Sequence, residues 1–379
     1  MMELYFVVVP FLIYLMLIAS FTIGWMMIPK QDQPGSIPVT RLTLIIPFRN
    51  EESTILSCLE DIIQQDYPAH LMEVYLADDH SDDNSPPLVL DFIANHPGFS
   101  LHYLKVDGNT GRANKKLAIE QVMMRSSGEL IIMTDADTRF SKSRIRIIED
   151  YYEKTHAKMI LGPVEFIHEK TFFSRIQSLE FTGLMGATAG SCGTGYPIMC
   201  NGANLAFGRT AFNAVDGFSD NKGFSSGDDL FLLLRIRKKF GRKSVVYVKS
   251  KDAVVSTNPQ NTLHDFLQQR VRWVSKSKGY KDGWILFVAL ITYLANLSLA
   301  GLLIYGIFDH PVFWFTLILF CLKMVIEFPL VYMTCRFYGK LPLLRYYPFV
   351  QVMNIFYVVF VGFIGNFLSY EWKGRRLRT

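Results

Sequence analysis

Apolar residues concentrate at the two ends of this 379-residue chain. The first apolar run, Leu4 to Met27, carries no charge and is long enough to cross a bilayer at ~1.5 Å per residue. Only Glu3 is charged before it and no clear small-residue cleavage site follows, which favours a retained anchor over a cleaved signal peptide. Three further apolar segments come late in the chain: Trp284 to Phe308, Val312 to Met333 and Tyr347 to Leu368.

The middle of the chain, about Ile37 to Gly283, has the composition of a soluble domain. In its first half four short apolar runs predict strands, at Leu42–Pro47, Val74–Ala77, Leu101–Val106 and Leu130–Thr134. Four helix-like stretches separate and follow them, at Glu51–Gln65, Pro87–Asn95, Ala113–Arg125 and Lys142–Lys154. This alternation predicts a mostly parallel sheet with helices on both faces, where ligands gather at the carboxyl ends of the strands.

Composition supports a membrane protein and argues against nucleic-acid binding. Half of the residues are hydrophobic, and much of the excess Lys and Arg behind the net charge of +5 lies near the apolar segments. The five cysteines are scattered and form neither a CxxC pair nor a metal-ligand spacing. They therefore indicate free thiols in a reducing compartment.

Acidic residues follow the predicted strands. Asp78, Asp79, Asp82 and Asp83 come after the second strand, where their mutual repulsion indicates either a ligand or a solvated acidic turn. Asp135 and Asp137 leave the fourth strand at alternate positions, an arrangement that can present oxygens to one hard cation such as Mg²⁺ or Mn²⁺.

Two further segments each allow a structural and a chemical interpretation. Asp228 and Asp229 precede an amphipathic helix, so they either cap it or supply a general base. Thr262 to Lys278 predicts a helix with one apolar face and with Gln269, Arg272 and Trp273 on another; Arg270 lies at the edge of the apolar stripe. That helix could also simply lie on the membrane surface.

These pieces, in this order from about Leu42 to Trp273, resemble glycosyltransferase family 2, the inverting enzymes with the GT-A fold. The ending Gln269-x-x-Arg272-Trp273 is similar to the signature of the membrane-bound branch, which includes cellulose, chitin and hyaluronan synthases and ceramide glucosyltransferases. The implied fold is an α/β GT-A domain with one N-terminal and about three C-terminal transmembrane helices.

The resemblance implies roles for individual residues. Pro47, Arg49 and Glu51 would line a nucleoside pocket, and Asp79 would contact the base. Asp135 and Asp137 would match the family's metal motif, with Asp135 also contacting the donor and Asp137 the direct ligand of the metal through the donor diphosphate. Asp229, or its neighbour Asp228, would be the catalytic base, and Gln269 and Arg272 would hold the diphosphate. Trp273 and Asn204 would contact the acceptor. The family's third motif corresponds to Gly111-Arg112, followed by Lys115 and Lys116.

We therefore expect five regions: an anchor at 1–29, the catalytic domain at 37–261, an interfacial helix at 262–283, a membrane region at 284–370 and a basic tail at 371–379. The expected reaction transfers a sugar from a nucleotide-sugar donor to a lipid-linked or glycan acceptor, with membrane lipids as partners and no nucleic acid. A processive polysaccharide synthase, which could need a partner for export, is the alternative, and a transporter or scaffold is the non-enzyme alternative.

The expected location is the cell membrane, with the catalytic domain in the cytosol, where nucleotide sugars are made. Lys30 and Arg41 after the first span agree with this orientation. We expect three full C-terminal spans, which would place the basic tail on the side opposite the catalytic domain. If one segment fails to cross, the pattern favours the middle one, because it contains Lys323 and Glu327; if it crosses, this pair should face the helix bundle.

Overall fold

The computed structural model describes residues 2–31, 34–35, 37–108, 115–218, 227–365, 370–373 and 375–377. The strands are β1 (Leu42–Phe48), β2 (Met72–Asp78), β3 (Ser100–Lys105), β4 (Leu130–Met133), β5 (Arg139–Phe140), β6 (Met159–Leu161), β7 (Val164–Phe166), β8 (Leu205–Gly208), β9 (Val245–Tyr247), β10 (Val255–Thr257), β11 (Tyr370–Trp372) and β12 (Arg375–Leu377). The helices are α1 (Met2–Met27), α2 (Ile55–Ile63), α3 (Ser85–Asn95), α4 (Lys115–Arg125), α5 (Arg144–Thr155), α6 (Phe172–Gly193), α7 (Arg209–Ala214), α8 (Asp228–Phe240), α9 (Leu263–Ser275), α10 (Gly283–Gly306), α11 (His310–Tyr338) and α12 (Tyr347–Ile364).

A seven-stranded sheet in the order β3-β2-β1-β4-β8-β6-β9 forms the centre of the α/β domain. The four predicted strands β1 to β4 are all present and parallel, while β8 runs antiparallel to both of its neighbours. Along β1, Ile45 packs in one apolar cluster and Leu44 and Ile46 pack in another. Both faces of the strand are therefore covered, which explains its continuous apolar sequence.

A smaller sheet, β5-β10-β7, flanks the carboxyl end of β4. It places the loop that follows β4 against Thr257 at the end of β10. Of the two acidic residues after β4, Asp137 thereby gains a hydrogen-bond partner on the smaller sheet.

Helix α6 joins the α/β domain to the membrane region, and the sequence pattern did not single it out. Its glycines let the backbones of α6 and α1 touch: a Cβ on Gly190 would lie 2.2 Å from the Phe21 carbonyl oxygen, and one on Gly193 would lie 2.1 Å from that of Gly24. Because Phe21 and Trp25 also belong to an apolar cluster of the domain, the last turns of α1 are part of the domain core.

All four predicted apolar segments form helices within the described residues, and each helix is long and apolar enough to cross a membrane. The Lys323–Glu327 pair faces the helix bundle, as predicted, with Lys323 Nζ 2.7 Å from Glu327 Oε1 and 2.6 Å from Gln351 Oε1. Gln351 Nε2 donates to the other Glu327 oxygen at 2.6 Å, and the Tyr14 hydroxyl also donates to Glu327. The buried charges are thus fully paired across α1, α11 and α12.

The C-terminal tail forms a small hairpin of β11 and β12 that lies on the α/β domain. Arg375 Nη1 is 2.7 Å from Asp79 Oδ2, and Lys373 Nζ is 2.8 Å from Glu51 Oε1. The tail and the α/β domain are therefore on the same side of any membrane. The expectation that they lie on opposite sides is wrong, because the tail's charges are neutralised by carboxylates of the domain.

Candidate active site

A cavity of about 770 Å³ lies at the carboxyl ends of β1, β2 and β4, between these strands and α9. Eleven of the twelve site residues expected from the sequence line it: Pro47, Arg49, Glu51, Asp79, Asp135, Asp137, Asp228, Asp229, Gln269, Arg272 and Trp273. Its size is that of a pocket for a molecule such as a nucleotide sugar. The motifs, far apart in sequence, therefore form one site.

Asn204 is the exception, and its predicted acceptor contact is wrong. Its side chain is buried and held on every side: Oδ1 accepts from Arg144 Nε at 3.2 Å, and Nδ2 donates to the carbonyls of Pro163 and Ala253 at 2.8 Å each. Asn204 instead fixes the loop whose preceding residues, 201–203, line the cavity.

The carboxylates after β4 have different partners. Lys115 Nζ is 2.8 Å from Asp135 Oδ1, and the Thr257 hydroxyl donates to Asp137 Oδ2 at 3.1 Å. Burial, and then the charge of Asp135, raise the pKa of Asp137 above its ordinary value. The described residues hold no group of three side chains able to bind a metal. The pair fits a hard cation that takes its other ligands from substrate oxygens.

The nucleoside end of the cavity, as the family resemblance assigns it, is where the tail hairpin contacts the domain. Arg49 Nη1 donates to the Asp79 carbonyl at 3.0 Å, and Arg49 Nε donates to the Lys373 carbonyl at 3.4 Å. The side chains of Asp79 and Arg375 are each 5% exposed, and the Arg375 guanidinium donates to the Asp79 carboxylate at 2.7 and 3.2 Å and to the Asp79 carbonyl at 3.2 Å. Burial raises the pKa of Glu51, and the nearby Lys373 opposes that rise.

Sequence reasoning missed the tail as part of the site. Lys373 lines the cavity, whereas Arg375 lies behind Asp79. Their basic character was visible in the sequence but was interpreted only as a signal of membrane orientation. The basic tail pairs with an acidic strand end about 300 residues earlier in the chain. Patterns within a short segment cannot reveal a contact between such distant positions.

Asp228 and Asp229 open α8 directly after Gly227, whose φ of +93° favours glycine. Asp229 Oδ1 accepts from the Leu230 N–H at 2.8 Å and lies 3.6 Å from Lys276 Nζ. Burial alone would raise the pKa of Asp229, but Lys276 and then Lys115 outweigh it and lower that pKa. For Asp228 burial dominates and raises the pKa, and its Oδ2 has no hydrogen-bond partner among the described residues.

The environments of the two carboxylates therefore favour Asp229 as the ionised member. Residues 224–226, which precede this pair in the sequence motif, lie outside the described residues, as do Gly111 and Arg112 of the third motif.

Helix α9 presents one polar face to the cavity over its whole length. Thr262 caps its start, accepting from the Asp265 N–H at 3.1 Å. Gln269, Arg272 and Trp273 line the cavity, as predicted from their spacing. The indole of Trp273 lies 6.2 Å from the ring of Phe181, measured between centroids.

Arg270 differs from the prediction of a snorkelling side chain. It is 2% exposed, and its Nη2 lies 2.5 Å from Glu180 Oε2 on α6. Its guanidinium also lies 4.1 Å from the centre of the Trp273 ring, within the range of a cation–π contact. Arg270 thus anchors α9 to the domain and supports Trp273 from behind.

Comparisons with known proteins show the family of the chain. A family model described as glycosyl transferase family 2 matches residues 43–214. A second, described as glycosyl transferase family group 2, matches residues 130–364, more than half of the chain.

Two curated relatives carry related names. The N-acetylglucosaminyltransferase of Rhizobium meliloti (strain 1021) is 25% identical over 281 residues, covering 72% of this chain and 61% of the relative. The beta-monoglucosyldiacylglycerol synthase of Synechocystis sp. is 22% identical over 264 residues, covering 66% of this chain and 50% of the relative. The chain therefore spans less than two thirds of the length of either.

Among solved structures, the mannosyltransferase PcManGT from Pyrobaculum calidifontis, in complex with GDP-Man and Mn²⁺, is similar over nearly the whole chain. The TM-score is 0.61 at 18% sequence identity, with 94% of this chain and 95% of that chain covered. At this identity the likeness shows the fold, and it extends from the α/β domain into the membrane helices.

Proposed function

Because this chain belongs to the family 2 glycosyltransferases, we propose that it is a membrane-bound inverting enzyme that moves a sugar from a nucleoside-diphosphate sugar to a lipid-linked or glycan acceptor. The observation that carries this proposal is that the carboxylates of Asp137 and Asp229 and the side chain of Arg272 line one cavity. A general base, a cation-binding carboxylate and a cation for a leaving diphosphate are the groups that such a transfer needs.

The donor lies with its nucleoside between the first two strand ends and the tail hairpin. Arg49 and Asp79 fix the nucleoside side, and Lys373 adds a positive charge between Glu51 and the position of the diphosphate. Gln269 and Arg272 reach the diphosphate from α9. A divalent cation such as Mg²⁺ or Mn²⁺, held by Asp137 with Asp135, would supply further positive charge for the leaving group.

The transfer itself needs a deprotonated acceptor hydroxyl on the face of the sugar opposite the diphosphate. Asp229 accepts the proton of that hydroxyl while the oxygen attacks the anomeric carbon. Lys276 and Lys115 keep the Asp229 carboxylate ionised and therefore able to accept it. Arg272 stabilises the charge that develops on the leaving nucleoside diphosphate, and Trp273 stacks on the acceptor. One displacement on an α-linked donor gives a β-linked product.

The catalytic domain faces the cytosol in this proposal, because nucleotide sugars are made there. The test is a donor screen with the full chain in liposomes, supplied with UDP-N-acetylglucosamine, UDP-glucose and GDP-mannose. Released nucleoside diphosphate is measured, and the product is identified by mass.

We expect one donor to be consumed in an acceptor-dependent way, with the Asp229→Asn variant as the inactive control. A ladder of products would favour the processive alternative over a single transfer. Turnover by Asp229→Asn equal to that of the unmodified chain would contradict the proposed base.

A further inference from the structure

The ends of the apolar helices can be placed by what they contact. At the end of α1, Lys249 Nζ from the α/β domain donates to the Trp25 carbonyl at 2.7 Å. At the start of α10, Arg237 of α8 pairs with the capping residue Asp282. At the end of α11, Lys340 Nζ lies 3.3 Å from Oε2 of Glu165 in β7. All three ends therefore lie on the side of the α/β domain.

Helices α10 and α11 consequently form a hairpin that leaves the domain and returns to it. Their connection, residues 307–309, lies at the far end, where Phe308 is 85% exposed. A third crossing by α12 would have to carry the chain away from the domain again.

Helix α12 instead begins and ends against the domain. Before it, Arg175 of α6 donates to the Tyr346 hydroxyl at 3.2 Å. After it, Gly365 packs so closely on Val274 of α9 that an added Cβ would lie 2.7 Å from that side chain, and the tail hairpin follows. Between these ends, the ring of Tyr357 lies 5.6 Å from that of Phe266 on α9. A straight helix of 18 residues, ~27 Å long, with both ends on one domain lies along that domain.

The outward face of α12 carries a single apolar stripe along its whole length. Its members follow each other at spacings of three or four residues and are 47–61% exposed: Phe349, Val352, Phe356, Phe360 and Phe363. The opposite face is buried, with Ile355 in the same cluster as Leu299 of α10. A stripe on the side away from the domain, and continuous with the lipid-facing helices α10 and α11, meets the acyl chains of the nearer leaflet.

We propose that α12 lies in the domain-side surface of the membrane, with its phenylalanine stripe in the lipid, and that α1, α10 and α11 alone cross. This assignment explains why the tail reaches the donor pocket. Gln351 of α12 contacts both Lys323 and Glu327, so α12 also supplies a partner for this buried charge pair of α11.

Depth measurement of spin labels on the full chain in liposomes tests this placement. Single cysteines replace Phe349 and Phe363, in a background where the accessible Cys200 and Cys321 are serine. Both positions are at least half exposed, and the loss at Phe349 includes its edge-on contact with the Phe172 ring. The matched control is Leu290→Cys and Ile304→Cys on α10, also exposed and also fourteen residues apart, or ~21 Å along the helix.

We expect the two labels on α12 to lie at the same depth within about one helical turn, ~5 Å, and the two on α10 to differ by on the order of 20 Å. A difference on α12 as large as that on α10 would overturn the proposal.

A second measurement uses a membrane-impermeant maleimide on sealed liposomes. A cysteine appended after Thr379 should react from the same side as Glu60→Cys in the α/β domain and from the opposite side to Phe308→Cys. Reaction on the side of Phe308→Cys would show that α12 crosses.

Discussion

The contact of Arg375 with Asp79 yields a quantitative prediction about donor binding. Replacing Arg375 with Met keeps most of the side-chain volume but removes the guanidinium that lies 2.7 Å from the Asp79 carboxylate. Both members of the pair are 5% exposed. Breaking a buried pair by removing one partner costs about 3–5 kcal/mol.

The substitution should reduce the free energy of docking of the hairpin and not that of folding of the whole domain, because the hairpin can separate from the domain and let water reach Asp79. The lower end of the range, about 3 kcal/mol, is therefore the better guide. If donor binding requires the docked hairpin, the donor Kd should rise by on the order of 100-fold, since about 1.4 kcal/mol corresponds to a factor of ten.

The assay is a titration of the donor against the full chain in liposomes, with kcat measured in parallel. Arg375→Lys, which keeps the charge but loses the paired hydrogen bonds, should give an intermediate Kd. Arg345→Met, at an exposed position, is the matched control and should change nothing. A donor Kd for Arg375→Met within twofold of the unmodified value would refute the reasoning, and tighter binding would mean that the hairpin blocks the pocket.

Four further predictions concern the chemistry. Chelation of divalent cations should abolish turnover, and added Mn²⁺ or Mg²⁺ should restore it. The Asp137→Ala variant should be inactive but folded, and full activity of that variant in the presence of chelator would contradict the proposed metal. Asp229→Asn should bind donor normally and turn over at least ~10²-fold more slowly, whereas a slower Asp228→Asn would move the base by one residue. Trp273→Ala should reduce acceptor use more than donor hydrolysis, and equal losses would mean that the indole only anchors α9. Lys276→Met should move the acid limb of kcat/KM to higher pH, because loss of the cation raises the pKa of the Asp229 carboxyl that must be ionised; Lys276→Arg should restore the original profile.

The parts of the fold with a local signal were predictable from sequence. Strands β1 to β4 have short apolar runs with clear periodicity, and the helical segment 263–275 has an apolar stripe and a polar face. The site residues on these elements were predictable because parallel strands bring their carboxyl ends to one edge. The proposed metal pair, Asp135–Asp137, follows from that rule, and the proposed base pair, Asp228–Asp229, follows from the resemblance.

The remainder depends on contacts that no short segment encodes. Asn204 lies in a segment that resembles the family's acceptor-side loop. Its side-chain amide, however, already makes hydrogen bonds with Arg144 and with two backbone carbonyls. Helix α12 has the composition of a helix that spans a membrane. A helix that lies in the membrane surface has the same composition, because its protein-facing side and its lipid-facing side are both apolar. Only the partners at its two ends separate these cases.

The tail hairpin has a consequence for how the enzyme is assembled. Its contacts with Glu51 and Asp79 join residues 322 and 296 positions apart, with three apolar helices between them. Such long loops close late in folding, after the local elements have formed. The donor pocket is therefore completed only once α10, α11 and α12 have settled in lipid. A fragment covering 37–261 would lack both α9 and the tail hairpin, two walls of the pocket, and also the last turns of α1 that belong to the domain core. In the full chain, a detergent that loosens α12 should weaken donor binding before it unfolds the sheet.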